Sequence, residues 1–235
     1  MASIGAAGRQ QPPLNESDPS AAQKRSAAEA AAELVEPGMR VGLGTGSTVA
    51  YLLPALAARG LQGLRCVATS PATEAAAVAL GLAVESLDET GELDIAIDGA
   101  DQVDPEGWLI KGGGGAHVRE KIVAAAARRF VVIVSAEKPV EALSPPVPLE
   151  LISFGATATL AALAPAALRA GTPPSPDGGL IADYLGPIGD RAALAARLSA
   201  VPGVMGHGLF TPEMVSEVLI GEDRGVRRLP GAKPA

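Results

Sequence analysis

Met39-Arg-Val-Gly-Leu-Gly-Thr-Gly-Ser-Thr48 decides the architecture of this chain. Met39 to Leu43 is a short, mostly apolar run that ends in a glycine-rich turn, and Val49 to Arg59 reads as a helix. Strand, glycine turn and helix form the repeating unit of α/β proteins.

The unit recurs on both sides. Upstream, Ser20 to Val35 is an Ala-rich helix that opens at Asp18-Pro19-Ser20 and stops at Pro37-Gly38. Downstream, Leu64 to Ala68 is strand-like, and Pro71 to Leu80 is helical with Gly81 as its stop. Leu82 to Val84 is a short strand and Leu93 to Ile97 a stronger one. A helix from about Ala116 to Arg129 leads into Phe130 to Val134, a continuous apolar strand of the kind buried on both faces of a parallel sheet. The expectation is an α/β fold with a largely parallel sheet and flanking helices.

Residues 1–19 are short, polar and rich in Pro and Gln, and read as a disordered tail. The pattern changes again at Ser144-Pro-Pro-Val-Pro148. Beyond it, Leu149 to Phe154 and Pro173 to Asp183 suggest strands, and Ala156 to Ala170 and Arg191 to Ala200 suggest helices. A last strand follows Val201-Pro-Gly203. This βαβ-like module is read as a small α+β lid-like subdomain, 144–208, within a main domain of 20–143 and 209–235. The chain returns to the main sheet through Val215 to Ile220.

Composition narrows the function classes. With 48% apolar and 19% charged residues among 235, the chain has the makings of a packed core. A net charge of −7 argues against a nucleic-acid surface, although a few placed lysines can still hold one small anion. Aromatics are only 3%, so Ala, Val, Leu and Ile must build the interior. Cys66 stands alone, which excludes an internal disulfide, and its apolar surroundings read as a buried strand. No long apolar run suggests a membrane span, and a cytoplasmic setting without membrane or nucleic-acid partners is expected.

Four segments carry residues suited to chemistry. Gly44 to Thr48 lies where a strand hands over to a helix, so its backbone N–H groups and the Ser47 and Thr48 hydroxyls suit a phosphate; the alternative is an ordinary turn. It is neither a Walker A loop nor a dinucleotide fingerprint. Asp98-Gly-Ala-Asp101 follows a buried strand, where open α/β sheets bind ligands; the alternative is a solvated turn. Lys111-Gly-Gly-Gly-Gly115 loses much conformational entropy on folding, so close approach to a ligand competes with a mobile linker. It leads straight into a helix bearing Glu120, a candidate general base. Lys138, after the strand FVVIV, adds a cation, while His117 and His207 are read as ordinary polar residues.

Taken together, VGLGTGST, DGAD, KGGGG with REK, and SAEKP resemble the type A ribose-5-phosphate isomerases in order and spacing, from about Lys24 to the carboxyl terminus. LIADYLGPI, VPGV and HGLF are similar to the family's distal half. The resemblance implies a Rossmann-like sheet and interconversion of ribose 5-phosphate and ribulose 5-phosphate through an enediolate, with no metal or organic cofactor. It further implies a homodimer or homotetramer. Carried over, Glu120 is the proton-transferring glutamate, and Asp98, Asp101 and Lys111 complete the catalytic set. Thr45, Gly46, Ser47 and Thr48, then Asp98, Gly99, Ala100 and Asp101, and Lys111, Gly112, Gly113 and Gly114 form the substrate-binding turns, with Lys138 and Lys24 as further binding lysines. Lys24, Lys111 and Lys138 are expected to converge on one small pocket. KGGGGAHVREK departs from the family pattern at His117 and Val118, where an apolar and a hydroxyl residue are expected. Two other readings compete: a sugar-phosphate-binding regulatory domain, and a CoA transferase on a related fold.

Overall fold

The computed structural model describes residues 18–233; the expected tail falls almost wholly outside them. In chain order the elements begin with α1 (Ala21–Ala32), β1 (Arg40–Leu43), α2 (Val49–Ala58), β2 (Arg65–Ala68), α3 (Pro71–Ala79), α4 (Leu87–Thr90) and β3 (Leu93–Asp98). Two short strands, β4 (Gln102–Val103) and β5 (Leu109–Ile110), precede α5 (His117–Ala126) and β6 (Ala127–Ser135). Next come β7 (Val147–Leu151), α6 (Ala156–Ala162), β8 (Ala166–Leu168), β9 (Leu180–Tyr184), α7 (Arg191–Ala200) and β10 (Val204–His207). The chain closes with β11 (Leu209–Phe210), β12 (Glu217–Glu222) and β13 (Gly225–Pro230).

Among the described residues the main sheet has six strands in the order β13-β12-β6-β3-β1-β2. All its pairings are parallel except β12 with β13, a closing hairpin. Alternate side chains feed two apolar layers. Ile95, Ile97, Val131, Ile133 and Leu219 meet α1 and α2 on one face. Ala96, Phe130, Val132, Val134, Val218 and Ile220 meet Val123 and Ala124 of α5 on the other. Val131 to Val134 are all buried, which at about 1.5–3 kcal/mol per fully buried aliphatic side chain makes β6 a principal source of stability. Cys66 is buried in β2, where burial pushes its thiol up to about 11.

Four expectations are corrected. The helix ending near Arg129 stops at Ala126, because Ala127 turns extended and pairs with Leu93 to begin β6. The helix expected to Ala170 stops at Ala162; Pro165, which has no N–H to donate, follows, and Ala166 to Leu168 pair with β9 as a strand. The module expected as βαβ-like is instead a four-stranded sheet, β10-β7-β9-β8, with every pairing antiparallel. Leu82 to Val84 contribute only one bridge, Cys66 to Val84. Strands β11, β5 and β4 form a third, small sheet, β4 and β5 falling between β3 and β6 in the chain and β11 between β10 and β12.

The parallel strands β1, β3, β6 and β12 all end on the same edge of the main sheet. Gly44 to Thr48 follows β1, Gly99 to Asp101 follows β3, and Ala136 to Lys138 follows β6. That edge is where helix N-termini and loops of an open α/β sheet can surround a ligand.

Candidate active site

A buried ion cluster occupies this edge. Lys111 Nζ lies 2.9 Å from Asp98 Oδ2 and 3.0 Å from Glu120 Oε2, with the three side chains only 3–4% exposed. The same ammonium donates to Gly99 O at 2.5 Å. Asp98 Oδ1 accepts the N–H of Thr45 at 3.1 Å and of Gly99 at 2.7 Å. Three loops that are distant in sequence are thus tied to one carboxylate. Gly44 must lack a side chain here, since a Cβ would fall 1.9 Å from Asp98 Oδ1.

Burial sets the charges. It opposes ionisation of Glu120, and with the adjacent Asp98 charge it pushes that carboxyl up to about 8 against the pull of Lys111. Asp98 is likewise held above the usual carboxylate range by burial, with Lys111 opposing. Burial also disfavours the Lys111 cation, yet Asp98 and Glu120 outweigh it and keep the lysine firmly protonated. A buried carboxyl poised near neutrality beside a fixed cation is suited to taking and returning a proton.

The two aspartates of DGAD are not equivalent. Asp98 is enclosed, whereas Asp101 is exposed and accepts the Gly113 N–H on Oδ2 at 2.9 Å. The glycine loop also splits its roles. Thr45 turns its hydroxyl inward to Thr69 at 2.8 Å, Ser70 at 2.9 Å and Thr73 at 3.3 Å, while Thr73 Oγ1 donates to Gly44 O at 2.8 Å. Gly46, with φ +124°, lets the chain turn into α2, leaving Ser47 exposed and Thr48 buried at the helix start.

The lysines expected to converge hold separate partners. Lys24 Nζ binds Asp18 at 2.6 Å, and Lys138 lies 3.9 Å from Glu137. Helix α1 is joined to the loop after β6, because Ala136 N–H donates to Gln23 Oε1 at 3.0 Å. Lys24 and Lys138 therefore belong to the same region of the sheet edge, while the Lys111 charge is already matched by two carboxylates.

Several residues escaped the sequence reading. Lys121 Nζ donates to the carbonyls of His207 at 2.7 Å and Leu209 at 2.8 Å, and Lys111 N–H donates to Gly208 O at 2.9 Å, so α5 and the Lys111 strand share one anchor. His117, read as an ordinary polar residue, is completely buried and neither ring nitrogen reaches a partner at hydrogen-bond geometry. Arg169 reaches from the second sheet to the carbonyls of Gly112 and Gly113 at 3.1 and 3.0 Å. No local motif announces these contacts.

A parallel α/β sheet with a buried carboxylate–lysine cluster at its carboxyl edge defines an enzyme of the open-sheet class. The family model Ribose 5-phosphate isomerase A (phosphoriboisomerase A) matches residues 65–225. Ribose-5-phosphate isomerase A of Caulobacter vibrioides is 49% identical over 221 residues, covering 88% of this chain and 97% of the relative. The structure of ribose 5-phosphate isomerase A from Methanocaldococcus jannaschii superposes with a TM-score of 0.84 at 36% identity, over 88% of this chain and 98% of that one. A D-ribose-5-phosphate isomerase in complex with phospho-erythronic acid gives 0.83 at 35% identity, over 88% and 97%. The chain belongs to the ribose 5-phosphate isomerase A family.

Proposed function

We propose that the protein interconverts D-ribose 5-phosphate and D-ribulose 5-phosphate, with Glu120 as the proton carrier. The observation that carries this reading is the Asp98–Lys111–Glu120 cluster, with Glu120 poised near neutrality. The ionised Glu120 removes the proton from C2 of the open-chain aldose; the C–H electron pair forms the C1–C2 double bond and the C1=O pair moves onto O1, giving the enediolate. The O2 hydroxyl proton then passes to O1, C2 becomes the ketone, and Glu120 returns its proton to C1. Lys111 and the tetraglycine N–H groups stabilise the enediolate oxygens. Asp101, exposed at the cleft, exchanges protons with sugar hydroxyls and assists ring opening. Asp98, whose oxygens are engaged by protein donors, positions Lys111 and the Thr45 loop.

The phosphate is assigned to Gly46, Ser47 and Thr48 at the start of α2, assisted by Lys24 and Lys138. The helix N-terminus and its hydroxyls support this assignment. The comparison protein in complex with phospho-erythronic acid is a precedent for a phosphorylated sugar acid bound by a relative.

We further assign the protein to the cytoplasm as a homodimer or homotetramer. Exposed Ile152, Phe154, Leu168, Leu185 and Met205 around the second sheet support self-association. No helix among the described residues is long and apolar enough to cross a membrane. Production of ribulose 5-phosphate from ribose 5-phosphate by the purified protein in chelator tests the activity; a folded but inactive protein overturns it. Light scattering tests the assembly, and a monomer at micromolar concentration overturns that part.

A further inference from the structure

Four consecutive glycines have no side chains with which to hold a shape, so any fixed geometry in Gly112 to Gly115 must be imposed through their backbone. The structure shows how this is done. Arg169 follows β8, and its Nε and Nη2 chelate Asp183 of β9 at 2.9 and 2.6 Å. Its remaining arm, Nη1, donates to Gly112 O and Gly113 O at 3.1 and 3.0 Å. Such a planar fork is rigid and bidentate, which a lysine cannot reproduce.

The consequence follows from peptide geometry. Neither the 112–113 nor the 113–114 bond is cis, so each carbonyl and the following N–H point to opposite sides of the chain. Drawing both carbonyls toward Arg169 turns the Gly113 and Gly114 N–H groups toward the opposite side. Gly113 N–H is indeed caught there by Asp101 Oδ2 at 2.9 Å. The Gly114 N–H meets no protein acceptor among the described residues, and Thr45 Cγ2 stands 3.7 Å from where a Gly114 Cβ would be. The peptide between Gly112 and Gly113 is stretched between an arginine of the second sheet and an aspartate of the main domain.

We infer that Arg169, braced by Asp183, is a positioning residue that, with Gly113 N–H held by Asp101, preorients the Gly114 N–H group as a donor to the substrate's developing oxyanion. The role rests on the isomerase reading above. It makes the second sheet a supporting wall of the reaction site as well as a neighbouring layer. Donors aimed before the reaction need no reorganisation at the transition state, which is why their loss appears in turnover.

The test begins with turnover of ribose 5-phosphate by the unaltered protein, followed by Arg169→Ala and Asp183→Asn. Arg169→Ala is expected to lower kcat roughly 10- to 100-fold, with KM changed less than about threefold. Guanidinium at tens of millimolar is expected to restore part of that kcat, which recovery of overall stability alone does not explain. Asp183→Asn keeps the arginine but loosens its fork, and is expected to show a smaller kcat loss of the same kind. Hydrogen exchange of the 112–115 amides without substrate should quicken in both variants. Wild-type kcat and KM in folded Arg169→Ala overturn the inference, as does a kcat loss without faster exchange or guanidinium rescue. If Arg169→Ala does not fold, unchanged kcat and exchange in Asp183→Asn overturn it instead. An inactive wild-type protein overturns the isomerase reading and the oxyanion role together. Active wild type with an indifferent Arg169 overturns the role alone.

Discussion

Glu120 lies one turn into α5 with its carboxyl buried against Asp98 and Lys111, and its raised affinity for a proton has a kinetic signature. The base form must predominate for proton abstraction, so activity falls as pH drops through the cluster's titration. The acidic limb of kcat/KM is therefore expected above pH 6, toward 8, and not near pH 4–5 where ordinary glutamates titrate. A pH–rate profile checks this. Glu120→Gln should lower kcat by about 10²- to 10⁴-fold with little change in KM, because amide and carboxylate occupy similar space. Turnover near the wild-type value would remove Glu120 from the role. Glu120 was legible in the sequence through the adjoining tetraglycine and its place in REK. The inequality of Asp98 and Asp101 was not, since only the folded loops show which carboxylate the Thr45 and Gly99 N–H groups enclose.

The β1–α2 unit shows why some elements could be read in advance. Gly44 and Gly46 answer local demands, a carboxylate pressed against the chain and a left-handed turn, and such demands leave a mark at the position itself. If this turn holds the phosphate, Ser47→Ala combined with Thr48→Ala should raise KM severalfold while leaving kcat within about twofold, measured by steady-state kinetics. An unchanged KM would move the phosphate elsewhere. The second sheet was less legible. Apolar spacing over 156–170 resembles a helix, whereas Ala166 to Leu168 adopt a strand because they pair with β9, and their partners lie more than ten residues away. Reading Arg169 into a helix hid its contact with Gly112, a residue 57 positions earlier.

At the scale of the molecule, two buried histidines shape the response to acid. Burial, reinforced by the Lys121 charge, holds His117 and His207 down at about 3. Lys111 and Arg169 also disfavour a charge on His117. The unfolded chain takes up protons on both near pH 6.5 and the folded chain does not, so the histidines' contribution to stability falls as pH drops from about 6.5 toward 3, against the raised carboxyls of Glu120 and Asp98, which act in the opposite direction. Each histidine adds a slope of up to about 1.4 kcal/mol per pH unit. Urea midpoints between pH 7 and 5 measure this. His117→Leu, which removes ring nitrogens that reach no partner at hydrogen-bond geometry, should flatten the slope; an undiminished slope would contradict the account.

By itself the sequence determined the parallel α/β plan and marked the four candidate loops, because strand periodicity, glycine turns and buried apolar runs are local physical requirements. Tertiary structure decided which side chains share a charge. It tied Lys111 to Asp98 and Glu120, gave Lys24 and Lys138 their own carboxylates, and set Arg169 against the glycine loop. Lys24 and Lys138 pair with near neighbours, but the Lys111–Asp98 and Arg169 contacts depend on distances of a few ångströms between separate segments, and desolvation acts on a group only once the surrounding fold has closed over it.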